Sequence, residues 1–181
     1  MKKENTSFSE KNRKRVKTMI DITKKAPDKK EKNAKNSILD FLFYLVQWTW
    51  GLPVNIVGSI AFLICTKIKG RRWQKFGYSY IVYLPWNQGG LSLGLFIFMK
   101  DQHKSRKWTY NTRIHEYGHT WQCLLLGPLY YIVIALPSAI WCNFFEGYRK
   151  KNNISYYKVY CESWANAWGQ KFSRMKMDLD K

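Results

Sequence analysis

His115-Glu116-Tyr117-Gly118-His119 is the stretch from which the rest of this chain is read. The chain holds three histidines, and two of them stand here, four residues apart with a glutamate between them. Positions i and i+4 of an α-helix lie on one face, a turn apart, so a helix brings both imidazoles to one point. That point suits a Zn²⁺ ion, and Glu116 falls to the side where a metal-bound water would sit. A carboxylate so placed takes a proton from the water and leaves a nucleophile for attack on a carbonyl. Asn111 or Thr112 can cap the start of the helix. Gly127-Pro128 should end it, because proline breaks an existing helix and favours the first turn of a new one.

Two histidines need a third protein ligand, which leaves a fourth position for water. The segment Tyr160-Cys161-Glu162-Ser163-Trp164-Ala165-Asn166-Ala167-Trp168-Gly169 supplies Glu162. If this segment is helical, Glu162, Ala165, Asn166 and Gly169 share one face, a carboxylate above small residues that permit close helix packing. Gly118 is equally small. Asn166 can orient a ligand by hydrogen bonding. HEYGH followed by ExxAN resembles the zincin metallopeptidases of the gluzincin type, over roughly residues 110–169. The resemblance implies that His115, His119 and Glu162 hold zinc and that Glu116 is the general base. The chain also resembles uncharacterised bacterial membrane proteins with a GPLY stretch after the motif, here Gly127-Pro128-Leu129-Tyr130; that likeness carries no activity.

The net charge of +19 divides unevenly. Residues 1–37 hold 13 Lys/Arg against 5 Asp/Glu and almost no large apolar residues, so they read as a disordered basic tail rather than a secretory signal. Residues 38–181 read as one membrane-associated, zincin-like domain, long enough for a core. Cys65, Cys123, Cys142 and Cys161 form no CxxC pair, which argues against a zinc ribbon or redox motif and for free thiols in a reducing compartment.

Two apolar segments dominate that domain. Residues 38–66 are broken by Gly51-Leu52-Pro53, and residues 123–142 by Gly127-Pro128 and again by Pro137. Each is long enough to cross a bilayer, which takes about 20 residues. Trp48, Trp50, Trp73, Trp86 and Trp141 gather near the segment ends, as at membrane interfaces. Basic residues flank both ends of both segments, and His119 precedes the second segment while Glu162 follows it. A chain that turns back at each Gly/Pro break satisfies both facts. It places both termini, the loop 67–112 and the zinc site on the cytoplasmic side. The partners expected are membrane lipids with anionic headgroups and a peptide or protein substrate. Nucleic acid is not expected despite the charge, since no binding motif appears.

Between the segments, Tyr78 to Trp86 and Leu91 to Met99 alternate around Asn87-Gln88-Gly89-Gly90 and read as an antiparallel hairpin with a four-residue loop. Zincins place such a strand beside the motif helix, where its open edge pairs with an extended peptide. Tyr156, Tyr157 and Tyr160 lie near Glu162, where a phenol can stabilise an oxyanion. His103, in a polar loop, reads as solvated. The fold expected is therefore α+β, mainly helical and membrane-associated, with a short antiparallel hairpin packed on the HExxH helix. The function expected is a membrane-associated zinc hydrolase, a peptidase. The alternative is a membrane interaction protein that keeps zinc as a structural staple.

Overall fold

A computed structural model of the protein describes residues 34–86, 89–101 and 105–178, with side chains from Ser37 onward. His103 and nearly all of the basic tail, residues 1–37, lie outside the described residues. The architecture is α+β and mainly helical, as expected. In chain order it comprises α1 (Ala34–Thr49), α2 (Leu52–Leu63) extended by a π turn (Ile64–Ile68), and strands β1 (Trp73–Phe76), β2 (Ser79–Leu84), β3 (Gly90–Leu93) and β4 (Phe96–Lys100). Then follow α3 (Arg106–Leu126), a 3₁₀ turn (Gly127–Leu129), a π turn (Tyr131–Ala135) running into α4 (Leu136–Asn143), α5 (Glu146–Lys151), a 3₁₀ turn (Tyr156–Lys158) and α6 (Tyr160–Ser173).

The sheet corrects the expected hairpin. Its order is β1-β2-β4-β3, and β2 runs parallel to β4 with Ile81 opposite Ile97, so residues 78–86 and 91–99 are not an antiparallel pair. The cause is Gly94. At φ +64° it adopts a conformation that other residues rarely do, and with Leu95 it turns the chain back on itself. Leu93 then faces Phe96 and Gly90 faces Met99, which makes the antiparallel hairpin β3–β4 inside what reads as one strand. A second turn at Gly77 (φ +55°) pairs β1 with β2, a strand that the alternation alone does not reveal.

Ile81, Ile97, Met99 and Tyr117 are almost fully buried between sheet and helix α3. Burial of such a side chain stabilises by about 1.5–3 kcal/mol, so this seam fixes α3 against the sheet. The start of α3 also differs from expectation. Ser105 caps it, its hydroxyl accepting from Trp108 N at 3.1 Å, more than a turn before Asn111. Asn111 instead holds the C-terminal segment, donating to Asp178 O at 2.7 Å and accepting from Asp178 N at 3.0 Å.

Among the described residues no single helix is long and apolar enough to cross a membrane. Two helix pairs pass that test together, bent by 90° between Thr49 and Leu52 and by 117° between Leu129 and Tyr131. Pro137 does not break the second pair, contrary to expectation. It stands in the first turn of α4, directly after a π turn, and the carbonyl of Val133, four residues before the ring, accepts a hydrogen bond from the Tyr160 hydroxyl. The four cysteines are free thiols; Cys123 and Cys161 are buried, while Cys142 is exposed despite its apolar setting.

Candidate metal centre

Helices α3 and α6 build the site by packing backbone to backbone. A Cβ on Gly118 would stand 1.9 Å from the Ala165 carbonyl oxygen, and one on Gly169 would stand 2.0 Å from that of Ile114. Only glycine at both positions permits this approach. Beside the seam, Trp121 stacks on Phe172 at 3.7 Å and 10°. The face expected of residues 160–169 is the one that packs: Glu162, Ala165, Asn166 and Gly169 are all buried.

That seam brings His115, His119 and Glu162 together. The Nε2 atoms of the two rings lie 3.2 Å apart, and Glu162 Oε2 lies 2.9 Å from His115 Nε2 and 3.7 Å from His119 Nε2. Two ligands at about 2.05 Å from one tetrahedral ion stand about 3.3 Å apart, so the three spacings bracket the value that such an ion requires. All three residues are at most 6% exposed.

The protons make the same point. Gln122 uses its amide N–H on the Cys161 carbonyl at 2.9 Å, which turns Oε1 toward His119 Nδ1 at 2.6 Å. His119 Nδ1 must then carry the proton, and in a neutral ring Nε2 presents a lone pair. His115 Nδ1 lies 2.7 Å from Asn166 Oδ1. The two Nε2 atoms converge on Glu162 Oε2, a buried oxygen with no hydrogen-bond donor of its own. Burial pushes the Glu162 carboxyl up; protons on the two imidazoles would hold it below the usual carboxylate range, and a cation in their place would do the same. Three electron-pair donors this close suit one shared cation. The cluster can hold a metal ion, and among the described residues it offers three protein ligands.

Glu116 lies one residue along and is buried. Burial pushes its carboxyl up to about 7, with His115 pulling it down and Glu162 pushing it further up. Its carboxyl rests against the backbone of β3, where a Cβ on Gly90 would stand 2.2 Å from Glu116 Oε1. Among the described residues β3 is an edge of the sheet. The expected place of a strand beside the motif helix is thus filled by β3, where Gly90 makes the room.

The three tyrosines divide. The Tyr157 ring lies 5.2 Å from that of His115, and burial, then the charges of Glu116 and Glu162, push its phenol up, so it remains a donor. Tyr156 pairs with Ser138 at 3.3 Å, and Tyr160 is occupied at Val133. Two residues of the site escape a reading of the sequence. Gln122 falls at i+3 from His119, a position that alone could have flagged it. Tyr130 is buried, with its ring 6.4 Å from that of His119 and its hydroxyl donating to Ser92 O at 3.1 Å. The chain matches no family model, no curated protein and no solved structure.

Proposed function

We propose that this protein is a membrane-associated zinc hydrolase, a peptidase, with His115, His119 and Glu162 as ligands and Glu116 as general base. The observation that supports it most is the convergence of two imidazole nitrogens and a carboxylate oxygen at 2.9–3.7 Å, beside a second buried carboxyl, that of Glu116. Zinc held by His115, His119 and Glu162 would supply a Lewis acid that activates a water. Glu116 accepts the proton of that water and returns it to the leaving amine. Burial raises its carboxyl, which favours holding the proton between the two steps. Tyr157 donates to the oxyanion that develops on the attacked carbonyl. An extended peptide lies along the β3 edge, close to Glu116. Anionic lipid headgroups hold the protein at the membrane, with termini and site on the cytoplasmic side.

The near-complete burial of the ligands favours a second reading, a metal that only staples α3 to α6. Glu116→Gln separates the two. The peptidase reading requires full metal content and loss of peptide cleavage by at least about 100-fold, the usual contribution of a general base. Cleavage at the wild-type rate by that variant removes Glu116 from the chemistry.

A further inference from the structure

The two bends meet. A Cβ on Gly127, in the second bend, would stand 2.5 Å from the indole of Trp50, in the first. Trp50 Nε1 donates to the Leu125 carbonyl at 3.1 Å, and the Tyr131 hydroxyl donates to the Pro53 carbonyl at 3.3 Å. Around this junction Trp48, Trp50, Leu52, Leu125, Leu129 and Ile132 are between 39% and 67% exposed. No Asp, Glu, Lys or Arg occurs between Asp40 and Lys67, or between Glu116 and Glu146. The first charges beyond the arms are mostly basic and exposed: Lys67, Lys69 and Arg72 after α2, and Lys150 and Lys151 after α4.

Several backbone carbonyls of this region are capped by side chains. At the first bend the Asn55 amide donates to the carbonyls of Gln47 at 2.8 Å and Gly51 at 3.0 Å. Trp50 covers Leu125, and Tyr160 covers Val133. Along the arms, the hydroxyls of Thr49, Ser59 and Thr66 fold back onto the carbonyls of Leu45, Ile56 and Phe62 at 2.7, 2.9 and 2.8 Å. Asn143 does the same to Ala139 at 2.8 Å. In water these groups would be hydrated at little cost. Their internal satisfaction, on helices whose outer side chains are apolar, is what a hydrocarbon surrounding demands.

We propose that the paired bends form one apex that inserts into a single leaflet of an anionic bilayer, with the basic ends of the arms at the headgroups. A second copy of the chain on the same face is the poorer occupant, because it would bring two sets of lysines together. A bilayer with negative headgroups takes both the apolar apex and the basic rim. His119 lies about 10 Å along α3 from its end at Leu126, which puts the metal centre near the headgroup boundary. The substrate of the proposed hydrolase is then a peptide segment lying at the membrane surface. This inference rests on the membrane half of the proposed function and not on zinc.

The test uses the full chain carrying Cys65→Ala and Cys142→Ser; the buried Cys123 and Cys161 stay in place. An environment-sensitive fluorophore is attached singly through Leu129→Cys, Ile132→Cys, Lys69→Cys or Lys151→Cys. Each protein is mixed with phosphatidylcholine vesicles with or without phosphatidylglycerol, carrying nitroxides at the headgroup or mid-chain. At 0.1 M salt, binding should be at least tenfold tighter with phosphatidylglycerol. Labels at 129 and 132 should be quenched by mid-chain nitroxide, and those at 69 and 151 by headgroup nitroxide alone. Equal mid-chain quenching at all four sites overturns the apex. So does burial of the apex labels without lipid in a dimer, which identifies a second copy as the occupant. Failure to bind either vesicle while the protein keeps its metal overturns this inference and leaves the zinc site standing.

Discussion

On the proposed reading the two histidines are tested through the carboxamides that orient them, and Glu116 through its own titration. Removing either carboxamide that orients a histidine, Gln122→Ala or Asn166→Ala, should weaken zinc affinity by about 10- to 100-fold, the usual effect of outer-shell partners. Competition with a chromogenic chelator measures it, and unchanged affinity would show that the rings are held by packing alone. Glu116 gives a pH signature in the metal-free protein. Its carboxyl titrates at about 7 when folded, against an ordinary 4.5, so the folded state favours the protonated form. The stability that this provides is complete below pH 4.5, falls as pH rises through 7 and then levels. Melting curves of metal-free wild type and Glu116→Gln should therefore diverge over that window, with the variant gaining relative to wild type; parallel curves would mean that the carboxyl is solvated. His115, Glu116, His119 and Glu162 were legible in the sequence because helical spacing alone aligns the first three, and ExxAN marks the fourth. Tyr130 was not, since it reaches the site only because the chain bends at Gly127.

At the scale of elements, glycine governs how closely the pieces approach. Gly118→Ala drives a methyl group into the Ala165 carbonyl and should destabilise by about 1–3 kcal/mol or more, with loss of metal as α3 and α6 part. Gly147, on exposed α5, has nothing within 4 Å of its would-be Cβ, so Gly147→Ala should be neutral or stabilise by up to about 1 kcal/mol. Thermal melts of the pair check both, and equal effects would refute the close seam. The two motif-bearing helices could be read from their side-chain pattern because a period near four repeats over several turns. The sheet could not. Alternation tells which residues prefer strands but not where a strand turns, and Leu93-Gly94-Leu95 looks like uninterrupted strand until φ at Gly94 is known. Pro137 misled for the reverse reason: a π turn and the distant Tyr160 hydroxyl accommodate a residue that normally breaks a helix.

At the scale of the whole molecule, the proposed membrane reading assigns the basic flanks and the apolar arms to a side of the membrane. With the termini and the loop 67–112 on the cytoplasmic face, an impermeant thiol reagent should leave single cysteines at the exposed positions Lys69, Ser105 and Lys176, in protein carrying Cys65→Ala and Cys142→Ser, unlabelled in intact cells until the membrane is opened. Labelling at 69 and 105 alone would show that both segments span. A metal held by the cluster would tie these arms to α6, since His119 lies before the second bend and Glu162 after it, so loaded protein should melt higher than stripped protein. The proposed hydrolysis depends on that ion. Elemental analysis of protein purified in detergent is therefore the direct test, comparing wild type, Glu162→Ala and the double variant His115→Ala/His119→Ala. The account predicts about one zinc per wild-type chain, a marked loss in Glu162→Ala and none in the double variant; full zinc occupancy in the double variant would contradict it.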